Sequence, residues 1–224
     1  MPLLHQHTIT GSGYQILIWN LTETEEELLM FLNTHTISIP EGYFSIKHLL
    51  RRKQKLATHL LINHLTEGKG FQITYNALGK PELLNHCGSI SISHSPHHVG
   101  LIHHTELKTG IDLEEPDGRI LNIAGRFINE EEQKWLNFEN PEKDYYLIWG
   151  VKECAFKAIG GGGIDFKNHL KVGKPESRDN LEGTGTVLFT KSLEMQPFRY
   201  YYRYLEDYLL VYTIALKPII PTSA

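Results

Sequence analysis

Two long stretches of helical periodicity, each set among short alternating runs, limit what this chain can become. Between residues 45 and 66, Ile46, Leu49, Leu50, Leu56, Ala57, Leu60, Leu61 and Leu65 recur at spacings of three and four, and Gly68 and Gly70 follow. Residues 144–159, DYYLIWGVKECAFKAI, read as a second helix, stopped by the glycines at 160–163. Strand signals surround both: Ile16, Ile18 and Trp19; FQITY (71–75); SISIS (89–93), with 99–102 continuing across a turn at Pro96; and GIDLE (110–114), closed by Pro116. TVLF (186–189), RYYYRY (199–204) and YLLVYTIAL (208–216) suit an antiparallel sheet. The acidic run TETEEE (22–27) reads as a helix start capped by Thr22 or Thr24, residues 119–127 and 129–137 as helical, NALGKPEL (76–83) as a turn or loop, and GTG (183–185) as a hairpin turn. No period of roughly twenty to fifty residues repeats. The length permits one domain or two small halves; each half would hold one amphipathic helix and a few strands, and if two exist the boundary falls near residues 104–109.

Composition narrows the function classes. The 224 residues hold 22 Lys and Arg against 26 Asp and Glu, a formal charge of −4, which argues against a nucleic-acid partner. A hydrophobic share of 41% with 21% charged residues supports a real core and argues against disorder. The longest apolar run, 208–216, is too short to cross a bilayer, and the first residues lack a basic start followed by an apolar run, so neither a membrane span nor a signal peptide is expected. Two cysteines, Cys87 and Cys154, offer no disulfide framework, and a reduced, cytoplasmic protein is the default.

The chemistry-bearing residues fall in four short segments. In a strand, Asp112 and Glu114 share one face while Ile111 and Leu113 share the other, which sets the two Cβ atoms about 6–7 Å apart. Two carboxylates at that spacing can hold one hard cation such as Mg²⁺; the plainer reading is an exposed strand face. On the second helix Trp149, Glu153 and Lys157 form one stripe at i, i+4 and i+8, with Lys152 and Phe156 beside it. An ordinary surface Glu–Lys pair explains this less well, because a Trp on the stripe is normally at least partly buried. Three acids and two lysines suit a metal–diphosphate complex. GKP (79–81) puts Lys80 on a tight turn, and ISISHS (90–95) ends a strand on Ser93, His94 and Ser95, groups able to bind phosphate.

Taken in order, GKPEL, ISISHS, GIDLE and WGVKECAFKA resemble the 4′-phosphopantetheinyl transferases of the larger, single-chain type first known from surfactin synthesis. The motifs span residues 79–157, and the chain length fits that type. The resemblance implies an α+β fold, a pseudo-dimer of two similar α/β halves, each a small mainly antiparallel sheet packed with helices, residues 1–107 and 108–224 here, with coenzyme A in the cleft between them. It implies transfer of the phosphopantetheine arm to a serine of an apo acyl or peptidyl carrier protein, with release of 3′,5′-ADP. By motif match Asp112, Glu114 and Glu153 bind Mg²⁺, Lys157 and Lys152 contact the diphosphate, and Lys80, Ser93 and His94 hold the nucleotide end, with His94 near the 3′-phosphate. Glu153 is then the candidate base, acting directly or through a water held by the ion, and Lys157 offsets charge on the departing group. A monomer is expected, since one chain holds both halves. Where family members often carry Arg in the helix before the GKP turn, this chain has His59; His59, Lys47, Arg51 or Arg52 supplies that contact. Gly150 and Cys154 sit in the helix motif and are expected to have little effect. An acidic carrier would favour the basic stretch Lys47–Lys55.

Other readings compete. His94, His97, His98, His103 and His104 lie within eleven positions and could mark a non-catalytic metal-binding protein, although their spacing fits no zinc motif. A Cys154–His94 nucleophile pair lacks a nucleophile elbow around Cys154. The glycines at 160–163 follow a helix rather than open one, so helix termination explains them better than a phosphate cradle. A homologue that binds coenzyme A without turnover is argued against by the intact Asp112, Glu114, Glu153 and Lys157.

Overall fold

The computed structural model describes residues 6–84, 86–139, 141–176 and 181–217, and for Gln6 and His7 the backbone alone. The signal-peptide reading of the first five residues lies outside them. Sheet 1 contains β1 (Gln6–Gly11), β2 (Tyr14–Asn20), β5 (Ser89–His94) and β6 (His98–His104), in the order β1-β2-β6-β5. Sheet 2 contains β7 (Thr109–Glu114), β8 (Leu170–Val172), β9 (Glu182–Lys191), β10 (Glu194–Tyr204) and β11 (Leu209–Ala215), in the order β7-β11-β10-β9-β8. Every pairing in both sheets is antiparallel. A separate ribbon joins β3 (Gln72–Tyr75) to β4 (Pro81–Leu84). The helices are α1 (Glu25–Thr34), α2 (Leu49–Leu65), α3 (Ile120–Ile123), α4 (Glu130–Gln133), α5 (Pro141–Ile159) and α6 (Phe166–His169). This is a mixed α/β chain of antiparallel sheets packed against helices.

The layering follows from which faces must leave water. Leu17, Trp19 and Leu101 of sheet 1 pack on Leu28 of α1 and Leu56 and Leu60 of α2. The opposite face, Ile16, Ile18 and Ile102, meets Ile111, Leu113 and Leu210 of sheet 2. The far face of sheet 2 is covered by α5 through Leu147, Val151 and Ala155 against Phe198, Tyr200 and Val211. The order is therefore helix, sheet, sheet, helix. Strands β2 and β11 are covered on both faces, which is why ILIW and LLVYTIA read as unbroken apolar runs rather than alternations. Each such aliphatic side chain removed from water stabilises the fold by about 1.5–3 kcal/mol.

The helix cap expected at Thr22 or Thr24 forms at Thr24, and several other local expectations meet a different outcome. Thr24 caps α1 and reciprocates with Glu27 in a capping box. The first long helix begins at Leu49 rather than 45; Tyr43–Ser45 form a 3₁₀ turn, and Leu49 remains 54% exposed. The loop expected over 76–83 is a turn only to Lys80, held by the Asn76 side chain, after which Pro81–Leu84 becomes β4. The helices expected over 119–127 and 129–137 shrink to α3, a 3₁₀ turn at Ala124–Arg126, and α4. There the chain bends to bury Phe127 and Ile128, and a new capping box at Asn129 and Glu132 starts α4. The GTG segment is not a turn: it lies inside β9, and a side chain on Gly185 would strike the Tyr200 ring at 2.5 Å. Gly185 is small to admit the ring, whose hydroxyl donates to Gly173 O at 2.9 Å.

Candidate active site

Strand β7 carries the carboxylates, and α5 lies across it. The approach is close because a Cβ on Gly110 would fall 1.9 Å from Cys154 O, and one on Gly150 would fall 2.9 Å from a Val211 methyl. Gly150 therefore has a definite packing role, contrary to the little effect expected of it. With α5 seated, its stripe delivers Trp149, Glu153 and Lys157 to the end of β7 where Asp112 and Glu114 sit. These residues join Ser93 and His94 from β5 and Arg51 from α2 around one cavity of about 800 Å³ between the two sheets.

Asp112 is the hub. It is only 4% exposed. Its Oδ1 accepts from Ser93 Oγ at 2.9 Å and from Lys157 Nζ at 2.6 Å, and its Oδ2 has no partner among the described residues. Lys157 also donates to Ile111 O at 3.0 Å and Ser93 Oγ at 3.2 Å. Burial works to lower the Lys157 ammonium, but the Asp112 charge outweighs it and holds Lys157 above its ordinary value. Glu114 accepts from Trp149 Nε1 at 2.8 Å. Burial and the adjacent Asp112 push Glu114 up to about 8, and burial with the Asp112 charge pushes Glu153 up to about 7.

The nucleotide side is built differently. His94 Nε2 lies 2.9 Å from Thr58 Oγ1, whose hydrogen goes to Gln54 O at 2.8 Å; the ring N–H is thus placed on Nε2. Burial, followed by the charges of Arg51 and Lys157, pulls His94 down to about 4, so the ring is neutral near pH 7. A second cavity of about 820 Å³ adjoins the first, shares Arg51, Ile92 and His94 with it, and is lined further by Lys55, His59 and Tyr75. Arg52 is engaged by Glu25 at 2.8 Å, and His59 is lowered mainly by burial. Of the four residues offered for the missing Arg, Arg51 is the one bordering both cavities.

Two expected residues stand elsewhere. Lys152 does not reach the cavity. Its side chain is fully buried, paired with Glu132 at 2.8 Å, and donates to Phe127 O at 2.6 Å and Phe166 O at 2.9 Å. One residue before Glu153 on a helix, it points about 100° away, into the core of this half. The diphosphate contact implied for Lys152 is corrected to an internal tie. Lys80 lines neither cavity and donates to Ala158 O at 2.7 Å, closing the C-terminal end of α5, while burial lowers it to about 8.

Glu115 was not read from the sequence. It accepts from Ser95 Oγ at 2.6 Å, His97 N at 2.9 Å, and the Nδ1 atoms of His97 and His98 at 2.8 and 3.1 Å. Burial works against its charge, yet these bonds hold it down at about 2. His103 meets Cys87 O, and His104 accepts from the Glu106 and Leu107 amides. His97, His98, His103 and His104 thus have structural partners in three places, with His97 and His98 sharing Glu115. Cys154 is wholly buried, donates to Val211 O at 3.2 Å, and burial pushes its thiol well up, as a packing residue requires. Gln54 and Thr58, at 4% and 8% exposed, are polar residues on the buried stripe of α2. The gap they leave in its apolar periodicity was the signal that could have found them.

Among the described residues, no group of three or more His, Cys, Asp or Glu side chains is gathered as a ready-made metal cage. The donor set still fits Mg²⁺. Asp112, Glu114 and Glu153 are among the acids that border one cavity, one buried carboxylate oxygen has no partner among the described residues, and an ammonium occupies part of the space beside it. An ion that keeps several positions for water and phosphate needs an incomplete, all-oxygen set of this kind.

With this geometry in view, the comparison with known families is specific. Residues 108–213, from the approach to β7 into β11, match the family model described as the 4′-phosphopantetheinyl transferase superfamily. That segment is similar to the domain of this superfamily. No curated protein matches the chain. Among the described residues no helix is long and apolar enough to cross a membrane.

Proposed function

We propose that this chain transfers the 4′-phosphopantetheine arm of coenzyme A to a serine of an apo acyl or peptidyl carrier protein, with Mg²⁺, releasing 3′,5′-ADP. The observation that carries the reading is the shared cavity in which Asp112, Glu114, Glu153 and Lys157 face Ser93 and His94 across the two sheets. Asp112, Glu114 and Glu153 would hold the ion, which when bound supplies charge neutralisation on the diphosphate.

The chain's own residues do the rest. The serine oxygen attacks the β-phosphorus, the bond from that phosphorus to the bridging oxygen breaks, and the electron pair leaves with 3′,5′-ADP. The serine proton passes to Glu153, a carboxylate that borders the cavity on the same stripe of α5 as Lys157, directly or through a water. Lys157, charged throughout this range, turns from Asp112 to the phosphate oxygens. His94, neutral, contributes hydrogen bonding rather than charge. Arg51 supplies the fixed positive charge between the two cavities, and the adjoining cavity receives the 3′-phosphoadenosine end.

Incubation with coenzyme A, Mg²⁺ and an apo acyl carrier protein should add the mass of the arm to the carrier. Glu153→Gln should lower kcat by about a hundredfold or more while coenzyme A binding changes only a few-fold. Transfer at the normal rate by that variant removes Glu153 as the base; no mass gain with any apo carrier removes the reaction.

A further inference from the structure

Among the described residues, strand β7 is an edge of sheet 2, paired with β11 alone, and β5 is an edge of sheet 1, paired with β6 alone. An edge strand carries a row of unpaired N–H groups, and a buried N–H without a partner is costly. Thr109 and Ile111 are 0% exposed and Leu113 3%, so water does not serve their amides. Three hydroxyls do. Thr109 N donates to Ser89 Oγ at 3.4 Å, Ile111 N to Ser91 Oγ at 3.2 Å, and Leu113 N to Ser93 Oγ at 3.2 Å. The strict alternation of β5 turns every serine towards β7, and Ile92 packs on the opposite side against the α2 core. Side chains of one sheet thereby stand in for a neighbouring strand of the other, with rungs every second residue on both.

The last rung lies inside the site: Ser93 takes the Leu113 amide and donates to Asp112 Oδ1. The rung before it lines neither of the two cavities described above. Ser91 is 2% exposed and its amide partner, Ile111, carries the carbonyl that accepts from Lys157. A slip of β7 along β5 would carry Asp112 away from Ser93 and His94 together, because both sets ride on strand backbones.

We propose that Ser89, Ser91 and Ser93 form a hydroxyl ladder that fixes the register of the two sheets, and that Ser91 is a positioning residue setting Asp112 opposite Ser93 and His94. The ladder stands independently of the reaction; its consequence for turnover rests on the transferase reading.

The test uses the full chain with three variants. Ser91→Ala removes the hydroxyl without crowding. Ser91→Thr and Ser91→Val add the same bulk and differ in the hydroxyl alone. Amide hydrogen exchange is followed at Ile111, with Val187 in the interior of sheet 2 as reference. The Ile111 amide should exchange about tenfold faster in Ser91→Ala and Ser91→Val, with Val187 unchanged, and Ser91→Thr should keep its protection. Equal protection in the Thr and Val variants, or acceleration shared by Val187, overturns the ladder. The KM for coenzyme A should rise several-fold in the Val variant relative to the Thr variant, and equal KM values overturn the positioning role. A wild-type chain that turned over no coenzyme A would count against the transferase reading and leave the exchange result standing.

Discussion

Lys157 holds one oxygen of Asp112 and leaves the other bare. Its Nζ lies 2.6 Å from Oδ1, while the buried Oδ2 has no partner among the described residues. A buried carboxylate with half its accepting capacity unused is unfavourable in isolation, and a divalent cation is the partner that would satisfy it. Asp112→Asn keeps the shape and removes the charge. The Mg²⁺ concentration giving half-maximal transfer should rise about tenfold or more, and an unchanged metal titration would exclude Asp112 as a ligand.

The crowding of acids has a consequence for the metal-free protein. Glu114 is held at about 8, above its ordinary value of 4.5, by burial and by Asp112. Between those values the folded chain keeps a proton that the unfolded chain has released, so stability must fall as pH rises. The contribution is complete below 4.5 and lost through 8. Without Mg²⁺, the melting temperature should decline from pH 5 to pH 8.5. Glu114→Gln should flatten that slope and stabilise the alkaline protein by about 2 kcal/mol. A parallel decline in the variant would show that Glu114 does not cause it.

Much of this site was legible because strand alternation and helical spacing are strict geometric rules. Asp112 and Glu114 had to share a face of β7, and Trp149, Glu153 and Lys157 a stripe of α5, and they line one cavity with Ser93 and His94. Lys152 defeated the same reasoning: periodicity places it beside the stripe, but only the position of Glu132, 20 residues away, reveals that its charge is spent in the core. Lys80 failed likewise, because a carbonyl at the end of α5, 78 residues distant, claims it. Ser93 was legible as a phosphate-binding group and Ser89 and Ser91 as strand alternation, but the bonds of all three to β7 depend on a sheet-to-sheet packing that no local pattern encodes. The GTG segment is a strand rather than a turn because a glycine that admits an aromatic ring, as Gly185 does, looks the same in sequence as a glycine that turns.

Lys152 offers a clean separation of roles. Lys152→Met leaves Glu132 without its ammonium partner in a fully buried place and should cost about 3 kcal/mol or more in stability. Below its unfolding transition, however, the variant should bind coenzyme A within about twofold of the parent, since the ammonium never reaches the cavity. Calorimetric titration decides this: a loss of about tenfold or more, the scale of a missing charged hydrogen bond, would restore a diphosphate contact.

Two glycines should respond oppositely to one added methyl. A Cβ on Gly110 meets the backbone of α5, 1.9 Å from Cys154 O, and no rotamer change relieves it. Gly110→Ala must part the helix from β7, at a cost of about 3 kcal/mol or more, and the same separation draws Glu153 and Lys157 away from Asp112. A Cβ on Gly125 has open space around it and needs no left-handed backbone. Gly125→Ala should be neutral or stabilising by up to about 1 kcal/mol, through restriction of the unfolded chain. Urea midpoints at unchanged m-value measure both effects. Equal midpoints for the two variants would mean that α5 does not rest on β7 at the distance from which the whole arrangement of acids and lysine follows.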